Sequence, residues 1–111
     1  MEKDEYKLII TIVNRGFSEV VMDAALEAGA RGGTVLHGRG TSRHTHTVFG
    51  IKIEPEKELV LIAVKRGECR KIIEAVSEKA GLGTPGSGIC FALPIEDVLG
   101  FTPRPESEES E

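Results

Sequence analysis

With 111 residues and 40% hydrophobic content, the chain can bury the core of one ordinary domain. A net charge of −4, 5% aromatic residues and no tryptophan argue against nucleic acid binding, which wants a basic face and stacking rings. Four of the 18 acids lie in the last six residues, so the remaining body is neutral.

The opening Met-Glu-Lys-Asp-Glu has no apolar signal core, and no run approaches a membrane-spanning length. The expectation is a cytosolic, cytoplasmic protein in which Cys69 and Cys90 are reduced and buried. They form no C-x-x-C pair, so a thioredoxin-like or zinc motif is absent.

Residues 1–5 are polar and expected to fray. Residues 7–13, Lys-Leu-Ile-Ile-Thr-Ile-Val, are β-branched and mostly apolar, which predicts a central strand. A helix follows over 18–28, with Ser18 as N-cap and Gly29 as its stop. Phe17, Val20, Val21, Ala24, Ala25 and Ala28 give it one apolar stripe. Gly32-Gly33 turns the chain into a strand at 34–37.

Residues 38–50 break every apolar periodicity and read as a loop. Phe49, Ile51 and Ile53 then alternate with Gly50 and Lys52, the pattern of a half-buried strand. Residues 54–57 read as a turn or bulge around Pro55, and 58–64 as a second buried strand. A helix is expected over 68–80, with Cys69, Ile72, Ile73, Val76 and Ala80 inward and Gly81 ending it. After the glycine-rich loop 81–88 comes a short strand at 89–93. Residues 95–99 read as a turn or helical piece packing by Ile95 and Val98. The Pro, Ser and Glu of 103–111 read as a disordered acidic tail.

The order strand, helix, strand, strand, helix, strand is the α+β, ferredoxin-like βαββαβ arrangement, an antiparallel sheet with both helices on one face. Strands 7–13 and 58–64 leave few polar positions for a solvent-facing side. The second face of the sheet therefore requires burial in an oligomer.

Two loops carry the chemistry. Residues 38–50 hold Arg39, Arg43, His44 and His46 and no acid. That suits a phosphate, a carboxylate or an acidic partner surface; the plainer alternative is a solvated hairpin turn. The loop 81–88 has no lysine after its glycines, so it is no Walker A motif, and it is no Rossmann fingerprint either.

The chain from about Tyr6 to Thr102 resembles the P-II nitrogen-regulator family, in particular its members with a short T-loop. The resemblance rests on the runs Leu8-Ile-Ile-Thr-Ile-Val13, Val20-Val-Met-Asp-Ala-Ala25 and Gly33-Thr-Val-Leu-His-Gly-Arg-Gly40. Most specific is Gly83-Thr-Pro-Gly-Ser-Gly-Ile-Cys-Phe-Ala-Leu-Pro-Ile-Glu-Asp-Val98. It implies one P-II-like domain over 6–102 and a homotrimer with an adenine nucleotide (ADP, ATP or AMP) as effector in each cleft between subunits. It also implies signal transduction through residues 40–49, the T-loop, to a partner such as a membrane transporter or a metabolic enzyme.

Carried over residue by residue, the resemblance implies that Thr34 reads the adenine edge and that Arg43 reaches the outer phosphates. Arg39 and Gly40 lie at the T-loop base, and His44 takes the place of the family's glutamine near metal and 2-oxoglutarate. Gly83, Thr84, Gly86, Ser87 and Gly88 form the B-loop, whose amides cradle phosphate. The chain departs from the pattern at Ile89, where the family has a phosphate-binding lysine, and at Gly100 and Thr102, where it has arginines. Each missing charge-assisted hydrogen bond is worth roughly 1.5–3 kcal/mol. Arg39, Arg43 or Arg104 would have to substitute. No counterpart of the tyrosine that some members modify is present, so uridylylation is not expected.

Two alternatives stand beside this reading. One is a metal-binding ferredoxin-like trimer of the divalent-ion-tolerance type, using His44 and His46 with His37. The other is an interaction trimer whose nucleotide site has decayed. No Ser-His-acid or Cys-His arrangement is visible, and the expectation is not an enzyme.

Overall fold

The computed structural model describes residues 5–41, 46–53 and 55–101. Its elements are β1 (Tyr6–Asn14), α1 (Ser18–Glu27), β2 (Thr34–Arg39), β3 (His46–Val48), β4 (Ile51–Ile53), β5 (Glu56–Lys65), α2 (Arg66–Ala80) and β6 (Gly88–Ile95). A four-stranded sheet runs β2-β5-β1-β6, and β3 and β4 form a separate hairpin. Every ladder in the sheet is antiparallel. This is the ferredoxin-like order, with the β3–β4 hairpin inserted between the second and third strands of the pattern.

Strand alternation sorts the side chains onto two faces. Ile9 and Val13 of β1 and Val60, Ile62 and Val64 of β5 are buried against Val21, Ala24 and Ala25 of α1 and Cys69, Ile72 and Val76 of α2. Fully burying each of these valine and isoleucine side chains contributes about 1.5–3 kcal/mol. Thr11 shares this face and is fully buried; its hydroxyl donates to Cys90 Sγ at 3.3 Å, so it is not an orphan. Both cysteines are free thiols, Cys69 buried and Cys90 half-buried.

The other face is as apolar, and none of the described elements covers it. By register Leu36, Leu59, Ile12 and Ile89 form one row, Thr34, Leu61, Ile10 and Phe91 the next, and Ala63, Leu8 and Leu93 a third. Leu36, Ile89, Phe91 and Leu93 are exposed, and the central residues are only half-buried.

Three local expectations are corrected. Ser18 is not the N-cap of α1: Phe17 is, with no side-chain cap. The Glu58 carboxylate instead accepts from the Gly16 and Ser18 amides, at 3.0 Å each. A cross-sheet carboxylate does what a local hydroxyl would have done, and the helix dipole favours its charge. Phe49 does not begin a half-buried strand. It forms with Gly50 the two-residue turn of the β3–β4 hairpin, at φ values of 50° and 77°. Both residues are left-handed, as a type I′ turn requires. Phe49 is 99% exposed and Ile51 67%, so these two side chains face outward. Finally, residues 95–99 contain no helix. β6 runs to Ile95, and the chain then bends so that Phe101 meets Tyr6 edge-to-face, with centroids 4.8 Å apart.

Candidate functional site

The sheet has one end where the candidate residues gather. β1 and β2 finish there, at Asn14 and Arg39, and β5 and β6 begin there, at Glu56 and Gly88. The excursion from β2 to β5 is closed at its root by the Gly40 amide donating to the Pro55 carbonyl at 2.8 Å. Gly40 is closely approached: a Cβ would lie 2.8 Å from Lys57 Cε and 3.4 Å from Pro55 Cγ, so a side chain there would displace the lysine stem. Arg39 stands beside it, opposite Glu56 in the β2–β5 ladder.

The second loop, 81–88, leaves α2 through the left-handed Gly81. Leu82 N–H donates to Ser77 O, Thr84 N–H to Gly81 O and Ser87 N–H to Thr84 O, at 3.0 to 3.2 Å. These bonds wind the segment into consecutive turns. Gly88 re-enters the sheet at φ 145°, where a Cβ would stand 2.5 Å from the Ile12 carbonyl. No other residue fits that approach. Gly86, at φ 81°, is held from below: the Asn14 side-chain amide donates to its carbonyl at 3.2 Å. Lys57 Nζ in turn donates to Asn14 Oδ1 at 2.6 Å.

The sequence-derived residues do not all converge. Arg39, Gly40, Gly86, Ser87 and Gly88 lie at this end of the sheet, with Gly83 and Thr84 further out in the loop. Thr34 lies elsewhere: it opens β2, opposite Leu61 and four strand positions before Gly38. β2 and β6 are the two edge strands, with β5 and β1 between them. At about 4.8 Å per strand spacing, the edges are roughly 14 Å apart. Thr34 and the loop 81–88 therefore do not meet within one chain. Arg43 and His44 lie outside the described residues, and His46 opens β3. Among the described residues, no group of three or more His, Cys, Asp or Glu could hold a metal ion.

Asn14, Lys57 and Glu58 are absent from the sequence-derived set, because the partners that define them are 40 or more positions away. Glu58 is 8% exposed. Hydrogen bonds from the Ser18 side chain and amide, then the Gly16 amide, hold its carboxyl below the usual carboxylate range, with a smaller pull from His37. His37 Nδ1 lies 3.9 Å from Glu58 Oε2, on the same face of the neighbouring strand. Burial pushes the Cys90 thiol up, so it stays protonated as an apolar neighbour of Thr11.

A family model described as "Nitrogen regulatory protein P-II" matches residues 6–104. The chain belongs to the P-II family. The P-II homolog of Arabidopsis thaliana is 32% identical over 98 residues, covering 82% of this chain and 50% of that protein. The P-II homolog of Oryza sativa subsp. japonica is 29% identical over the same length and is covered to 46%. The chain thus spans about half the length of these curated relatives. A crystal structure of Arabidopsis thaliana PII bound to citrate matches with a TM-score of 0.70 and 30% identity, over 86% of this chain and 82% of that one. The P-II fold accounts for the sheet order and the placement of both helices. No helix among the described residues is long and apolar enough to cross a membrane.

Proposed function

We propose that this P-II protein is a cytoplasmic homotrimeric signal transducer, a regulator and not a catalyst. It binds an anionic small effector, an adenine nucleotide (ADP, ATP or AMP), in clefts between subunits. It regulates a partner protein, a membrane transporter or a metabolic enzyme, through residues 40–49. The observation that carries this reading is the separation of Thr34 from the loop 81–88 across a sheet whose helix-free face is apolar and bare. Packing that face against two other copies removes it from water. It also sets the β2 edge of one subunit near the loop of its neighbour.

The effector's chemistry follows from the donors. Gly86 and Gly88 have the positive φ from which an anion-binding nest is built, and Arg39 and Arg43 supply positive charge. The citrate in the Arabidopsis structure supports an anionic ligand for this fold. The exposed Val48, Phe49 and Ile51 give the hairpin an apolar tip suited to contact with a protein partner.

Calorimetric titration with ATP, ADP, AMP and citrate, beside Arg43→Ala, tests the proposal. Saturable binding of one nucleotide at about micromolar level is expected, weakened about 10-fold or more in the variant. No heat from any nucleotide up to about 1 mM would overturn the effector assignment.

A further inference from the structure

We propose that the β3–β4 hairpin tip of one copy docks in the groove between α1 and α2 of another, so that the protein associates with itself beyond the trimer. The contact goes beyond the effector reading and does not depend on it. The groove lies in the helix layer, on the opposite side of the sheet from the bare face.

The helix sequences make the groove. Where the two helices meet, α1 offers Ala24 and Ala28 and α2 offers Ala75. An alanine ends at Cβ, so three of them together leave a hollow that longer side chains would have filled. Its free volume is about 180 Å³, the size that takes one benzene-sized ring. Glu27, Glu78 and Lys79 form the rim. The surface beside it is acidic. α1 carries Glu19, Asp23 and Glu27, four positions apart and all exposed, and no base. On α2, Arg70 is already engaged by Glu74, at 3.1 Å.

The hairpin supplies the complement. Its turn places Phe49 at the outermost point, and Phe49 is almost wholly in water, so it does not sit in the groove of its own chain. A Cβ on the adjacent Gly50 would meet nothing within 4 Å. Val48 and Ile51, paired across the ladder, extend the apolar tip. Residues 38–53 hold Arg39, Arg43 and Lys52 and no acid, and Lys52 follows Phe49 by three positions. A hollow for one ring thus faces a tip that presents one ring, and an acidic helix layer faces a basic hairpin. Both halves of the match belong to one sequence, which makes a second copy the occupant.

Tip and groove are different patches, so each docked copy keeps a free tip or a free groove and the association does not close at a pair. One ring and its flanks bury far less than the about 1,200 Å² of stable interfaces, so dissociation constants of about 0.1–1 mM are expected. At micromolar concentration the trimer sediments alone.

Sedimentation velocity of the full chain without nucleotide, from about 10 µM to about 1 mM, tests the contact. The average mass of wild type should rise with concentration. Phe49→Ser removes the tip, and the pair Glu27→Lys and Glu78→Lys reverses the rim. Each variant should hold its low-concentration mass throughout. All three positions are exposed, and circular dichroism checks that both variants are folded. Mixed together, the two variants should associate again, because one keeps the groove and the other keeps the tip. A wild-type mass that stays constant to about 1 mM overturns the proposal. So does association that Phe49→Ser abolishes and the rim changes leave intact, which would seat the tip on another tip or another surface. A mixture that stays apart while wild type associates also overturns it.

Discussion

The two faces of the sheet are built from the same kinds of residue and have opposite fates. Ile9, Val60 and Ile62 lie under the helices and are sealed from water. Ile10, Leu61 and Phe91, one pleat away, lie on a face that no other described element covers. The first face explains why the monomer folds. The second is the surface on which the proposed trimer rests, since exposed apolar patches mark interaction surfaces. The strand order leaves Thr34 on one edge and the loop 81–88 at the other, and under the proposed assembly a neighbouring copy would join them.

The comparison can be broken at either face. Ile72→Ala, beneath the covered face, should cost about 2–5 kcal/mol, read by urea unfolding. Phe91→Asp, on the bare face, should leave the fold's circular dichroism intact and release smaller species on light scattering. A trimer that survives this change would separate the bare face from assembly.

Gly88→Ala should cost about 1–3 kcal/mol, since its Cβ has no room beside the Ile12 carbonyl and its φ is positive. The effect should concentrate in the loop 81–88, measured as faster amide exchange there.

Glu58 sharpens the account of the covered face through pH. Its folded pKa is lowered, so its contribution is present at neutral pH. As pH falls below the ordinary carboxylate range, the unfolded chain takes up the proton first and that contribution is lost. Glu58→Gln should flatten the acid limb of a stability-versus-pH curve and leave the neutral-to-alkaline limb parallel to wild type.

The smallest effect on stability belongs to Phe49. Being almost fully exposed, Phe49→Ser should shift stability by no more than about 0.5 kcal/mol, while weakening capture of a partner protein.

Much of the fold was legible because strand and helix periodicities are local. The runs at 7–13 and 58–64 announced buried strands, Gly29 and Gly81 announced helix ends, and the element order announced the topology. The bare face was legible too, because too few polar residues alternate in those strands. The failures have different causes. Ser18 looked like a cap because the real one, Glu58, comes from another strand. Phe49 looked like a strand residue because its alternation with Ile51 and Ile53 outweighed the turn signal of Gly50. In the site, the glycines of 81–88 were visible from composition. Asn14 and Lys57 were not, since an asparagine ending a strand and a lysine after Pro55 have ordinary local explanations. Only the ladder that sets them side by side gives them a role.

The most direct test of the account is the mass of the protein in solution by sedimentation equilibrium. Burial of the bare face by two further copies predicts a single species of 36 kDa, three chains of 12.0 kDa. A stable species of 12.0 kDa at micromolar concentration would contradict it, and with it the placing of the effector site between subunits.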